Sequence, residues 1–156
     1  MEVAVQYDRL SILQQKLLRG AESALEKAYC PYSHFAVGAA IATPEEKIFY
    51  GANVENASFG LTICAERVAI CNAVVAGETR FSDLAIIAKS NGFGTKDVTA
   101  PCGMCRQVLY EFASLHDQEL TILLATLHLR KIVMVRLSDL LPQAFGPRDL
   151  GFNAKP

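Results

Sequence analysis

Apolar residues recur at helical spacing early in the chain, at Leu10, Leu13, Leu17, Ala21, Ala24 and Ala28. Lys16, Arg19, Glu22 and Lys27 fall mostly elsewhere on the wheel, so the pattern predicts an amphipathic helix from about Asp8 to Ala28. Beyond Cys30-Pro31 the pattern changes. Phe35 to Ala42 and Lys47 to Asn53 read as strands with a Pro44-Glu45-Glu46 turn between them, an expected antiparallel hairpin. Thr62 to Ala76 returns to helical spacing. Ile63, Val68, Ile70, Cys71, Val74 and Val75 give it a wide apolar face, and Gly77 is placed to end it. Leu84 to Ala88 is continuously apolar, as expected at the centre of a sheet covered on both faces. Ser90 to Ala100 reads as a loop, and Pro101 opens a third helix running to about Ala113. Leu120 to Ala125 and Lys131 to Arg136 are the last strands, Ser138 to Leu141 is a short helical turn, and 144–156 is an irregular tail. The order α-β-β-α-β-α-β-β-α, without internal repeats, predicts the α/β class: a three-layer α/β/α sandwich around a mixed sheet of about five strands.

The length of 156 residues predicts one domain over 1–156, and with 51% hydrophobic residues the chain can build a core. The charge is balanced, 15 Lys+Arg against 16 Asp+Glu, for a net −1. The most basic spot, Arg130-Lys131 followed by Arg136, reads as solvated strand ends. No basic stripe suits a phosphate backbone, which disfavours polymeric nucleic acid as a partner. Met1 to Leu10 lacks an apolar signal-peptide core, and no run is long enough to span a membrane, so a cytoplasmic protein is expected. Five cysteines, an odd number, suit reduced thiols or metal ligands better than a disulfide framework.

Two short motifs carry the chemistry: Cys64-Ala65-Glu66 and Pro101-Cys102-Gly103-Met104-Cys105. Cys102 and Cys105 stand three apart in the first turn of a predicted helix, so their thiols share one face. Cys64 lies in the first turn of the other. Three thiolates at two helix starts can converge on one tetrahedral Zn2+ and leave its fourth position open, as a catalytic zinc requires. Helix N-termini favour thiolate over thiol. Glu66 would lie close to that metal without ligating it, able to pass a proton from water to a substrate nitrogen. Three thiolates cancel the zinc charge; Arg67 is expected to offset this by hydrogen bonding to a ligand thiolate, with a surface ion pair as the alternative. Alone, Cys-x-x-Cys would equally suit a redox pair or half of a structural zinc site. A fourth ligand would close the site, and only Cys30 and Cys71 are left for it. Cys71 is expected to fill core and Cys30 to be a buried free thiol.

Such a Cys-Ala-Glu motif with a later Pro-Cys-x-x-Cys marks zinc-dependent deaminases. From about Leu10 to Leu150 the chain closely resembles the homotetrameric cytidine deaminases. The resemblance extends to Pro31-Tyr32-Ser33-His34-Phe35-Ala36-Val37-Gly38-Ala39-Ala40, to Gly51-Ala52-Asn53-Val54-Glu55-Asn56-Ala57-Ser58, and to Ala144-Phe145-Gly146-Pro147. It implies hydrolytic deamination of free cytidine and deoxycytidine to uridine and deoxyuridine with release of ammonia, a step of pyrimidine salvage. It implies one Zn2+ per subunit on Cys64, Cys102 and Cys105, with Glu66 catalytic. Asn53 and Glu55 would hold the ribose, chiefly through its 3′-hydroxyl, and Phe35 would stack on the pyrimidine. Ala65 and Glu66 would read the base edge, and Phe145 would reach the pocket of a neighbouring subunit. Taken singly, Phe35 reads as core, Asn53 as a turn former and Glu55 as a solvated carboxylate. The chain departs from the commonest pattern at Ala36, Ala52 and Phe59, where Pro, Cys and Tyr are frequent. His34 is expected to be structural.

The competing expectations are a deaminase of another specificity, such as one for blasticidin S or free cytosine, a polynucleotide editor, a non-catalytic zinc module, and a redox protein. The Asn53-Val54-Glu55-Asn56 block disfavours the first, the balanced charge the second, and Glu66 the third. The fourth would show a reversible Cys102–Cys105 disulfide and no zinc.

Overall fold

The computed structural model describes residues 2–152. Of the tail expected over 144–156, residues 153–156 lie outside the described residues. In chain order the strands are β1 (Val3–Ala4), β2 (Phe35–Ala42), β3 (Ile48–Ala52), β4 (Asp83–Ser90), β5 (Phe93–Gly94), β6 (Thr121–Thr126) and β7 (Ile132–Arg136). The helices are α1 (Ile12–Leu25), α2 (Ala65–Val75), α3 (Gly103–Leu115) and the one-turn α4 (Leu137–Leu140).

All seven strands join one sheet in the order β1-β7-β6-β4-β2-β3, with β5 paired to β4. Only β4 and β6 run parallel; every other pair is antiparallel. The expected five strands are present. The two additional strands, β1 and β5, have two residues each, too short to leave an alternating pattern. β5 lies within the expected loop, on the side of β4 that β6 leaves free beyond Ala88. Among the described residues no helix is long and apolar enough to cross a membrane.

Alternation along the central strand builds two cores. Leu84 and Ile86 of β4 face Ala69, Ile70, Ala73 and Leu109 from α2 and α3. Ala85 and Ile87 face Leu17, Leu18, Ala21 and Leu25 from α1. This is the expected three-layer sandwich. Small residues let both helical layers come close. A Cβ on Gly38 of β2 would lie 2.0 Å from the Ala21 carbonyl oxygen of α1. On Gly51 of β3 it would lie 2.2 Å from the Ala65 carbonyl oxygen and 2.4 Å from the Ala69 nitrogen of α2.

Helix ends account for most differences from the sequence expectation. Ser11 caps α1 reciprocally with Gln14, each accepting the other's backbone N–H, so the helix starts after a separate 3-10 turn at Tyr7–Arg9. Gly77, at φ +89°, closes α2 as expected: its N–H donates to Val74 O, and the N–H of Glu78 to Ala73 O. Of the expected apolar face of α2 only Ile70 is buried. Ala65, Glu66, Ala69, Ile70 and Ala73 are buried, whereas Cys71 and Val75 are exposed. The close approach across Gly51 admits only small side chains, which the larger valines and Cys71 do not match. The tail is not wholly irregular, since Pro147–Leu150 forms a 3-10 turn.

Candidate metal centre

Ile63 exchanges two backbone hydrogen bonds with Val54, at 2.9 and 3.0 Å, which holds the chain extended up to Cys64. α2 therefore begins at Ala65, and Cys64 is its N-cap rather than part of its first turn. Cys102 is likewise the N-cap of α3, displacing Pro101 from the helical position expected for it. Each cap carbonyl accepts a first-turn bond, from Val68 N at 3.2 Å and Arg106 N at 3.0 Å. Cys105 follows on the first turn of α3 and is buried.

The three thiols meet. Sγ of Cys64 lies 3.8 Å from Sγ of Cys102, which lies 3.5 Å from Sγ of Cys105. All three lie within 4.8 Å of one another. Tetrahedral zinc with bonds of about 2.3 Å requires sulfurs about 3.8 Å apart, so this donor set fits the ion. Among the described residues no fourth ligand joins the group. All five cysteines are free, Cys30 being half-buried. The hydrogen bond from Cys105, joined by Arg67, lowers the Cys64 pKa, while giving that bond and burial raise that of Cys105. Nη2 of Arg67 donates to the Thr62 carbonyl at 2.9 Å and approaches Cys64 Sγ at 3.9 Å.

Glu66 is 4% exposed. Burial, with a further push from the Cys64 charge, raises its carboxyl above the usual range, a setting suited to a group that must take up and release a proton. It lines a cavity of about 280 Å³ together with Cys64, Cys102, Phe35, Asn53 and Glu55. Asn53 and Glu55 reach it because the chain beyond β3 stays extended. Tyr29 accepts from Glu55 N at 2.8 Å and donates to Asn53 O at 2.9 Å. The Asn53 amide also secures β2, accepting from Val37 N at 2.8 Å and donating to Phe35 O at 2.9 Å.

Two of the expected substrate-binding residues do not line this cavity. Ala65 is fully buried, which leaves only its main chain for recognition. Phe145, 63% exposed, lines a separate hollow with Gln107, Pro147 and Phe152. Phe59 is exposed and meets Tyr32 edge-to-face at 5.9 Å. His34 is exposed at φ 52° and is not part of the thiol group.

Ser33, Val37, Thr62, Ile86, Thr99 and Ala100 also line the cavity, and no sequence motif assigns them an individual role. Thr99-Ala100 directly precede Pro101-Cys102, a proximity readable in the sequence. Ile86 lies on a parallel strand, towards whose carboxyl end α/β sites collect.

The family model described as "Cytidine and deoxycytidylate deaminase zinc-binding region" matches residues 11–117. A cytidine deaminase of Sporosarcina psychrophila is 38% identical over 141 residues, covering 90% of this chain and 97% of the relative. One of Mycobacterium tuberculosis is 44% identical over 135 residues, covering 86% and 91%. The crystal structure of cytidine deaminase from Burkholderia pseudomallei is 40% identical and aligns with TM-score 0.75 over 87% of this chain and all of that one. The chain therefore belongs to the cytidine and deoxycytidylate deaminase zinc-binding family.

Proposed function

We propose that the protein hydrolyses the C4 amino group of free cytidine and deoxycytidine, giving uridine, deoxyuridine and ammonia. One observation carries this reading: of three thiols grouped at zinc-binding spacing, two, Cys64 and Cys102, line the same cavity as the buried carboxylate of Glu66. Cys64, Cys102 and Cys105 hold one Zn2+ per subunit, which when bound supplies a water of lowered pKa. Glu66 would take one proton from the attacking water and deliver it to N3 of the base while the water oxygen bonds to C4. The same carboxylate then carries the proton of the new C4 hydroxyl to the amine, so that the C4–N bond breaks, the C4 carbonyl forms and ammonia leaves. Phe35 stacks on the pyrimidine, Asn53 and Glu55 receive the ribose 3′-hydroxyl, and the base edge meets Glu66 and the main chain at Ala65. Arg67 steadies the Cys64 thiolate.

The working form is a homotetramer. Phe145 lies outside its own cavity, and Phe59, Leu61, Met104 and Val75 are also exposed, so apolar surface remains for other copies to cover. Five free cysteines support a cytoplasmic location. Ammonia release from cytidine, deoxycytidine, cytosine and blasticidin S tests the reaction. Fast release from the two nucleosides alone is expected; release from another compound alone overturns the ribose assignment.

A further inference from the structure

We propose that Ser33 is a positioning residue, whose hydroxyl fixes the Glu55 carboxylate and the Phe35 backbone together and so sets the two substrate contacts relative to each other. The inference rests on the nucleoside-binding reading of the cavity. The Ser33 hydroxyl has one proton and accepts from Phe35 N at 3.0 Å. A carboxylate can only accept, so the proton goes to Glu55 Oε1, its close partner. The backbone N–H groups of Tyr32 and Ser33 donate to Oε2 at 3.0 and 3.2 Å. Three of roughly four acceptor positions on the carboxylate are thus filled from one loop, leaving about one for a substrate hydroxyl.

The Ser33 hydroxyl is the largest cause holding Glu55 below the usual carboxylate range; desolvation opposes it, and the Tyr32 and Ser33 N–H groups and His34 add to it. The other titratable groups around it are Cys30, on the chain leading into β2, and Glu66, Cys64 and Cys102 across the cavity.

The test compares the zinc-loaded wild type with Ser33→Ala and Ser33→Thr. Ser33→Ala is expected to raise KM for cytidine about tenfold with kcat nearly unchanged, the size of one lost hydrogen bond to a charged group. Its Glu55 pKa rises, so the acid limb of kcat/KM moves to higher pH. Ser33→Thr keeps the hydroxyl and restores most of both. An unchanged KM and acid limb in Ser33→Ala, or a Ser33→Thr enzyme no better than it, overturns the inference. No turnover by the wild type would instead overturn the functional reading. In that case, titration of the Glu55 carboxyl by NMR in wild type and Ser33→Ala still decides: an unmoved midpoint refutes the role of Ser33.

Discussion

Glu66 has a cost and a use that come from the same burial. A carboxylate at 4% exposure is held against its preference for water, and the nearby Cys64 charge adds to the penalty. The raised affinity for a proton that results is what a carrier of protons between water and a base needs. Glu66→Gln keeps the shape and removes both the charge and the carrying capacity. Turnover is expected to fall about 10²- to 10⁴-fold with zinc content unchanged and thermal stability equal or higher. Near-normal deamination with zinc in place would remove Glu66 from the mechanism. The proposed role of Arg67 is on the metal side. Its Nη2 bridges the Thr62 carbonyl and Cys64 Sγ, and truncating such a support weakens metal binding about 10- to 100-fold. Arg67→Gln should show that loss in a competitive zinc titration, together with reduced turnover. If both stay at wild-type values, the guanidinium only ties down the Thr62 carbonyl.

At the scale of elements, the site depends on where two helices begin. Cys64 and Cys102 are both N-caps, and their extended backbones turn the thiols across the helix starts. The sequence placed the cysteines near those starts through spacing alone. The cap position of Cys64 is not legible in the sequence because the bridge between Val54 and Ile63, which delays α2, joins residues nine apart with no periodic signature. The sequence also misjudged the face of α2. Valines at helical spacing looked like core, yet the sheet comes so close that alanines fill it. Gly51 was the available clue, since a Cβ there would strike the Ala65 carbonyl oxygen, next in chain to a metal ligand. Gly51→Ala is expected to cost about 1–3 kcal/mol of stability through overpacking and to weaken zinc binding by pushing the start of α2 outward. Gly60→Ala, with nothing within 4 Å of the added Cβ, is the matched control. Equal melting temperatures for the two variants would mean that α2 yields without consequence for the sheet.

For the whole molecule, zinc is a cross-link as well as a reagent. It would join α2 to α3 through residues 38 apart in sequence, Cys64 and Cys102, across the layer that covers one face of the sheet. The unfolded chain does not present three thiols within 4.8 Å of one another, so the ion binds the native state in preference and adds its binding free energy to folding. At a thousandfold excess over the dissociation constant that contribution is about 4 kcal/mol, and for a chain of this size each kcal/mol moves Tm by about 2–4 °C. Stripping the metal with a chelator under reducing conditions should therefore lower Tm by about 10 °C and abolish deamination. Adding zinc should restore both in parallel. The sheet itself should survive, because the α1 face and the β2–β4–β6 core owe nothing to the metal. Far-ultraviolet circular dichroism of the stripped protein should stay close to that of the loaded form. Loss of activity with no change in Tm would mean that the α2 and α3 starts are held in place by packing alone, and that zinc serves the chemistry without bracing the fold.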